Sequence, residues 1–148
     1  MFDDLHDLYQ QVILDHSKSP RNFRKIDGAN RKVEGKNPLC GDQVTVYLLM
    51  EGDIVKDISF QGSGCAISKA SASLLTDSLK GKSAGQVKEL FESVRDMVTT
   101  GNIRSDSLGK LVVFAGVHKF PARVKCAILP WHAVMAAVAG KTDPVSTE

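Results

Sequence analysis

The segment VTVYLLMEGDIVKDISF, from Val44 to Phe60, decides the fold. Every second residue from Val44 to Met50 is hydrophobic, a period that is typical of a half-buried β-strand. Glu51-Gly52-Asp53 is a tight-turn signal, and the residues from 54 to 60 have the composition of a returning strand. The segment therefore predicts an antiparallel hairpin, to which residues 32–36 add a weaker third strand.

Helical patterns surround this hairpin. Hydrophobic residues recur at helical spacing over residues 3–17, and Pro20 and Asn22 end that first helix. Further helices are predicted from just after Cys65 to Gly81, over 83–98, briefly within 101–119, and in a last segment that ends near Gly140. Together these elements predict an α+β fold, with a small antiparallel three-stranded sheet and helices packed on one face. We expect a single domain over residues 1–148, in which residues 141–148 form a flexible tail.

The position of Pro130 allows two starts for the last helix. A proline is tolerated in the first helical turn, where backbone N–H groups lack intrahelical partners. If the helix begins near Ala127, Cys126 lies at its N-terminal edge; if it begins at Pro121, Pro130 kinks it and frees the Cys126 carbonyl. We favour the first arrangement. Cys65 also precedes a helix, so both thiols would face positive helix ends, which lower a cysteine pKa.

Charge and cysteine count exclude several classes of protein. The 148 residues contain 19 Lys and Arg against 17 Asp and Glu, so the net charge of +2 gives no argument for a nucleic-acid or membrane partner. The chain begins Met1-Phe2-Asp3-Asp4, which is acidic where a signal peptide would be basic, and no window approaches the length of a membrane span. Three cysteines in such a chain indicate thiols or metal ligands in a reducing cytoplasm.

The three cysteines are the strongest functional signal. Cys40, Cys65 and Cys126 each lie at a break in the periodic pattern, and Asp42 follows two residues after Cys40. Three thiolates and one carboxylate form a tetrahedral ligand set that suits zinc, or a site for assembling iron and sulfur. We therefore predict that Cys40, Asp42, Cys65 and Cys126 are metal ligands.

A lone cysteine is more often a small buried hydrophobic residue than a ligand, and Cys126 could be explained in that way. Cys40 could not, because Gly41 permits the turn that lets Cys40 and Asp42 converge. Cys65 follows glycines that favour close approach of the backbone rather than packing. The gaps between the cysteines are not those of a zinc ribbon or finger.

Four separated motifs resemble the U-type iron–sulfur assembly proteins, the family that includes IscU and the NifU N-terminal domain. They are LYQQVILDH followed by PRN (8–16 and 20–22), NPLCGD (37–42), FQGSGCAIS (60–68) and ASAS (70–73). They occur in the family's order, and the resemblance covers about residues 5–138. His16 belongs to the first motif, although a histidine at a helix end is more often structural or at the surface than a ligand.

Three departures from the scaffold branch of this family resemble its SufU-like branch. The last cysteine follows Lys125 rather than a histidine, residues 120–125 read FPARVK rather than containing Pro-Pro-Val-Lys, and the stretch 101–119 is extra. This resemblance implies a zinc-dependent sulfurtransferase whose partners are a SufS-type cysteine desulfurase and, as sulfur acceptors, SUF scaffold proteins.

Within that scheme, Cys40 is the residue that we expect to accept sulfur. It lies in a glycine-flanked loop, so its thiolate should be the most easily released from a metal, while Asp42, Cys65 and Cys126 stay bound. Two other functions remain open: a scaffold on which a [2Fe–2S] cluster is assembled, and a structural zinc protein without sulfur chemistry. Lys125 in place of histidine disfavours the scaffold, and Asp42 disfavours a purely structural site.

Overall fold

The computed structural model describes residues 2–103 and 106–147. Its helices are α1 (Phe2–Lys18), α2 (Ala66–Leu79), α3 (Ala84–Thr100) and α4 (Pro121–Val138), and a 3-10 segment with an irregular backbone at Gly109 covers Asp106–Lys119. Its strands are β1 (Arg31–Asn37), β2 (Asp42–Glu51), β3 (Ile54–Ser63) and β4 (Val145–Ser146). The predicted α+β class is confirmed, and so are the three strands expected from the sequence.

The sheet has the strand order β3-β2-β1-β4. β1, β2 and β3 form an antiparallel meander, in which Val46 pairs with Val33 on one side and with Phe60 on the other. β4 adds a fourth strand parallel to β1, with Val145 opposite Gly35. This short strand lies within the segment for which the sequence predicts a flexible tail, and it makes the sheet mixed rather than purely antiparallel.

The core lies between the sheet and the helices. α4 packs against β1 and β2, α2 packs against β3, and α2 and α3 both contact α4. Trp131, Phe60 and Phe114 are the largest of the fully buried side chains. Among the described residues, no helix combines the length and the apolar composition that a membrane crossing needs.

The last helix begins earlier than the sequence predicts. α4 starts at Pro121, so the expected start near Ala127 is wrong: Cys126 lies inside the helix, and Pro130 lies in its interior. A proline in the first turn is pre-organised for a helix, which explains why Pro121 can start it. Pro130 provides no N–H for the Cys126 carbonyl. Instead, the Ser71 hydroxyl donates a 2.6 Å hydrogen bond to the neighbouring Ala127 carbonyl and ties α2 to this turn of α4.

A buried polar cluster fastens α1 to α2. His16 is only 3% exposed, and its Nδ1 lies 2.7 Å from the Ser73 hydroxyl oxygen. The same hydroxyl oxygen accepts a 2.8 Å bond from the Arg21 backbone N–H. The Asn22 side chain donates to the Thr76 hydroxyl at 3.0 Å. These bonds give His16 a structural partner on α2, and that partner is a serine rather than a cysteine.

Candidate metal centre

The turn between β1 and β2 carries Cys40 and Asp42. The backbone N–H of Cys40 donates to the Asn37 carbonyl at 3.3 Å, and Gly41 follows with φ +71°, a left-handed conformation that favours glycine. Asp42 then begins β2 directly opposite Asn37. Cys40 is exposed to solvent, whereas Asp42 is 1% exposed. One short turn therefore presents an exposed thiol next to a buried carboxylate.

Cys65 caps the N-terminus of α2. Its sulfur accepts a hydrogen bond from the Ser68 backbone N–H at 3.4 Å, and its own backbone N–H donates to Asp42 Oδ1 at 2.8 Å. The preceding Gly64 has φ +146°, and a Cβ at that position would collide with the Asp42 carboxylate. A glycine is therefore required for the end of β3 to pass this close to Asp42.

Cys126 completes the group from the buried side. It lies on α4 and is 2% exposed. Ligand atoms of Cys40, Asp42 and Cys126 all lie within 4.8 Å of one another. Cys65 joins them through Asp42, since its sulfur lies 3.8 Å from Asp42 Oδ2. The four residues singled out from the sequence thus meet at one end of the sheet, although they come from three separate segments.

The donor types and their spacing fit a tetrahedral metal ion. Zinc binds thiolate sulfur at about 2.3 Å, which places two sulfur ligands about 3.8 Å apart. The 4.8 Å limit on the Cys40, Asp42 and Cys126 atoms is larger than this by about 1 Å. A small inward movement, most easily of the exposed Cys40, would close the set around an ion.

Asn37 belongs to this centre although sequence reasoning assigned it no role. It is completely buried, and its Nδ2 donates to Asp42 Oδ2 at 3.1 Å and to the Cys126 sulfur at 3.5 Å. A signal was available, because Asn37 has the same parity in β1 as Val33 and Gly35, which are buried. A polar residue at a buried position of a strand needs a partner, and the hairpin places Asp42 opposite it.

Burial dominates the acidity of the two helix-borne thiols. It raises the pKa of Cys65 even though the Ser68 N–H stabilises the thiolate, and it raises the pKa of Cys126 further, with Asp42 and the other two cysteines adding to the effect. The expectation that helix ends lower both pKa values is therefore wrong. For Cys126 the reason is its place inside α4, and for Cys65 the desolvation outweighs the cap. A bound cation would have to displace these protons.

A cavity of about 460 Å³ opens beside Cys65, between α1, the 3-10 segment and the start of α4. Its lining is mainly apolar and includes Ile13, Leu14, Val117 and Phe120. Leu14 and Phe120 are each 48% exposed, and the Arg123 guanidinium lies 4.4 Å from the centre of the Phe120 ring. The centre is thus bordered by an exposed apolar surface with one cation at its edge.

Comparison with known proteins agrees with this geometry. Residues 8–127 match the model of the NifU-like N-terminal domain. The chain belongs to the NifU-like N-terminal domain family. The match covers the cysteines, Asp42 and Asn37. It confirms the family resemblance that the sequence motifs indicate.

Two relatives of this chain carry different functional names. The chain is 43% identical over 138 residues to the zinc-dependent sulfurtransferase SufU of Bacillus subtilis, with 92% of each chain covered. It is 39% identical over 135 residues to the iron–sulfur cluster assembly scaffold protein IscU of Streptococcus pyogenes, covering 90% of this chain and 84% of that one.

A solved structure gives the same result for the fold. It is a candidate iron–sulfur cluster assembly scaffold protein for the SUF system from Fervidobacterium islandicum AW-1, 37% identical, with a TM-score of 0.83. The alignment covers 90% of this chain and 98% of that structure. The SufU-like character expected from the sequence, and a role in iron–sulfur cluster assembly, are confirmed.

Proposed function

We propose that this protein is a zinc-dependent sulfurtransferase of the cytoplasm that accepts sulfur on Cys40 and passes it to iron–sulfur cluster assembly. One observation carries the proposal: Cys40 is exposed on a glycine turn, whereas Cys126 is buried inside a helix. A carrier needs an accessible thiol that can leave a metal and return. The 43% identity to a zinc-dependent sulfurtransferase supports this choice.

Asp42, Cys65 and Cys126 would hold zinc together with Cys40. Zinc, when bound, keeps thiols deprotonated at neutral pH, which matters here because burial raises the pKa of Cys65 and Cys126. Asp42 is fixed at both carboxylate oxygens, by the Cys65 N–H and by Asn37 Nδ2. Its carboxylate therefore keeps its position when Cys40 moves.

The transfer itself is a thiol–disulfide type of exchange. The Cys40 thiolate attacks the terminal sulfur of a persulfide on the donor protein, and a bond forms between the two sulfurs. The sulfur–sulfur bond of the donor breaks, and the donor cysteine leaves as a thiolate. Cys40 ends as a persulfide, and no external oxidant or reductant is consumed. A second thiol removes that sulfur from Cys40 by the same displacement.

The donor that we propose is a SufS-type cysteine desulfurase, and the acceptors are SUF scaffold proteins. The apolar cavity between α1 and the start of α4 supports docking of a protein rather than of a free small molecule. Its opening beside Cys65 would bring a docked loop close to Cys40. Arg123 lies at its edge and provides a positive charge near an incoming persulfide anion.

The second candidate function is a scaffold that assembles a [2Fe–2S] cluster. Relatives named as IscU scaffolds, at 39% and 37% identity, favour it. Three cysteines and one further ligand also suit such a cluster. Lys125 beside Cys126 counts against it, because a charged lysine has no lone pair with which to bind a metal.

Locating the transferred sulfur tests the proposal. The zinc-loaded protein is incubated with a cognate desulfurase and cysteine without reductant, alkylated and digested for mass spectrometry. We expect one added sulfur on the peptide that contains Cys40, and Cys40→Ala should abolish stimulation of the desulfurase while the protein stays folded by circular dichroism. Cys40→Ser is the near-isosteric control and should be equally inactive.

Two outcomes would contradict the proposal. Added sulfur on Cys65 or Cys126 would reverse the assignment of roles. No added sulfur, together with a stable coloured cluster after iron and sulfide are supplied to the zinc-free protein, would establish the scaffold function instead.

A further inference from the structure

Asn37 donates hydrogen bonds to two of the predicted ligands through one side-chain group. Its Nδ2 lies 3.1 Å from Asp42 Oδ2 and 3.5 Å from the Cys126 sulfur. The residue is the last of β1, is 0% exposed and pairs in register with Asp42. Its position is therefore fixed by the sheet, independently of any bound ion.

The chemistry of this contact suits a metal site. A carboxylate and a thiolate both accept hydrogen bonds, and the amide NH₂ group has one N–H for each of them. Such a bond leaves the other lone pairs of the carboxylate and of the sulfur free for a cation. With the Cys65 N–H on Oδ1, the Asp42 carboxylate is held at both oxygens.

The other half of the amide gives the second observation. Asn37 Oδ1 is buried and has no hydrogen-bond partner in the described part of the chain. A polar atom buried without a partner is unfavourable, so packing alone would favour an apolar side chain of similar size. The two N–H groups of this side chain instead donate to two of the predicted ligands.

We propose that Asn37 is a positioning residue that holds Asp42 and Cys126 in the geometry needed for the metal and sets how slowly the metal leaves. This inference rests on the proposed function, because it assumes that these residues bind zinc. Partners behind metal ligands typically change affinity by about 10–100-fold when they are removed. Asn37 does not touch the transferred sulfur, so its effect is on the ligands rather than on the reaction itself.

Asn37→Leu is the most informative variant, since leucine has nearly the same shape but no donor. We expect its metal-free form to stay folded but to unfold at a somewhat lower temperature, because the buried Asp42 carboxylate loses a donor. Zinc affinity should fall about 10–100-fold, and zinc release to a chelator should accelerate by a similar factor. Asn37→Ala should weaken zinc to the same extent and also lower the unfolding temperature. With cobalt(II) in place of zinc, the thiolate-to-cobalt absorption band should shift in both variants, because the Cys126 sulfur loses a hydrogen bond.

Asn30→Ala is the matched control. Asn30 also uses its side-chain amide in the sheet, bonding the Met50 backbone at 2.9 and 2.8 Å, at the opposite end of β2 from Asp42. This variant should lose stability but keep zinc affinity and the cobalt spectrum unchanged, because distant sites act independently.

If both Asn37 variants have the zinc affinity, zinc release rate and cobalt spectrum of the wild type, the positioning role is overturned. The proposed zinc site would be unaffected by that result. A wild-type protein that binds neither zinc nor cobalt would overturn the proposed function, and this inference with it.

Discussion

The turns that carry Cys40 and Cys126 differ in exposure to solvent, in backbone conformation and in packing. Cys40 lies on an exposed turn between strands, next to a glycine with positive φ and an exposed Leu39. Cys126 lies inside α4, 2% exposed, in a turn that Ser71 holds through the next carbonyl. Moving the first sulfur requires rotation of a few backbone angles, whereas moving the second requires displacement of a core helix.

This contrast indicates a division of roles within one ligand set. A permanent metal site needs fixed donors, and a carrier of sulfur needs one donor that moves. The family members named as zinc sulfurtransferase and as scaffold differ in function. Substitution of each ligand in turn tests whether the buried and the exposed ligands have different roles.

The largest effect is expected from removing a fixed thiol. Cys126→Ala and Cys65→Ala should each lower zinc affinity by more than about 100-fold, beyond the loss of an outer partner, because a primary ligand is removed. Cys40→Ala should retain more zinc, since Asp42, Cys65 and Cys126 remain in place. The zinc retained by each variant is measured after gel filtration in the presence of a chelator. Equal retention in all three variants would show that Cys40 is no more dispensable for zinc binding than Cys65 and Cys126.

Asp42→Ala should reduce transfer more than it reduces stability. The substitution leaves the Cys65 N–H and the Asn37 amide without an acceptor, at a cost of about 1–3 kcal/mol. For a chain of this size that corresponds to a Tm lower by roughly 3–9 °C. Desulfurase-stimulated turnover should fall by more than about tenfold, the typical minimum for a disturbed metal site. Full turnover in the variant would show that the carboxylate is dispensable.

The smallest effect is expected on stability, from the buried polar cluster of His16, Ser73 and Arg21 that joins α1 to α2. Burial lowers the pKa of His16, and Arg21 lowers it further, with Lys110 acting in the same direction and Asp15 and Asp77 opposing. The unfolded chain therefore binds more protons between the lowered pKa and about 6.5, so stability is retained above pH 6.5 and lost as the pH falls below it. Metal-free protein should show this as a lower urea midpoint in acid.

His16→Gln is the control, because glutamine does not titrate. Burial and Arg95 lower the pKa of His132 as well, so a pH dependence will remain in the variant. The difference between wild type and variant isolates His16. If the urea midpoint falls equally with pH in both proteins, His16 does not contribute to the acid dependence of stability.

Much of this arrangement could be predicted from the sequence, for identifiable reasons. The alternation from Val44 to Met50 predicts the central strand, and the glycines beside Cys40 and Cys65 indicate where backbone must bend. The convergence of Cys40, Asp42, Cys65 and Cys126 followed from their residue types and from the family motifs. All of these signals lie within short stretches of consecutive residues, which the sequence shows directly.

The remaining features depend on packing between distant segments. Pro130 misled the prediction of α4, because a proline usually avoids a helix interior. Here α4 continues through it while packed against α2, β1 and β2. Burial of Cys65 and Cys126 reverses the pKa shift that helix ends would produce. β4 depends on a parallel partner far along the chain, and its two residues give no periodic pattern.

The hydrogen bond from Ser71 to the Ala127 carbonyl has a mechanical consequence. α4 lacks one internal backbone bond at Pro130, so this turn would be a natural hinge. Ser71 joins α2 to the carbonyl of Ala127, the residue after the one whose carbonyl Pro130 leaves free, so we expect bending of α4 there to be resisted by α2. Since Cys65 caps α2 and Cys126 lies on α4, this bond links the two helices that carry them. We therefore expect the spacing between the Cys65 and Cys126 sulfurs to vary less than their distance from Cys40, which lies on an exposed turn outside both helices.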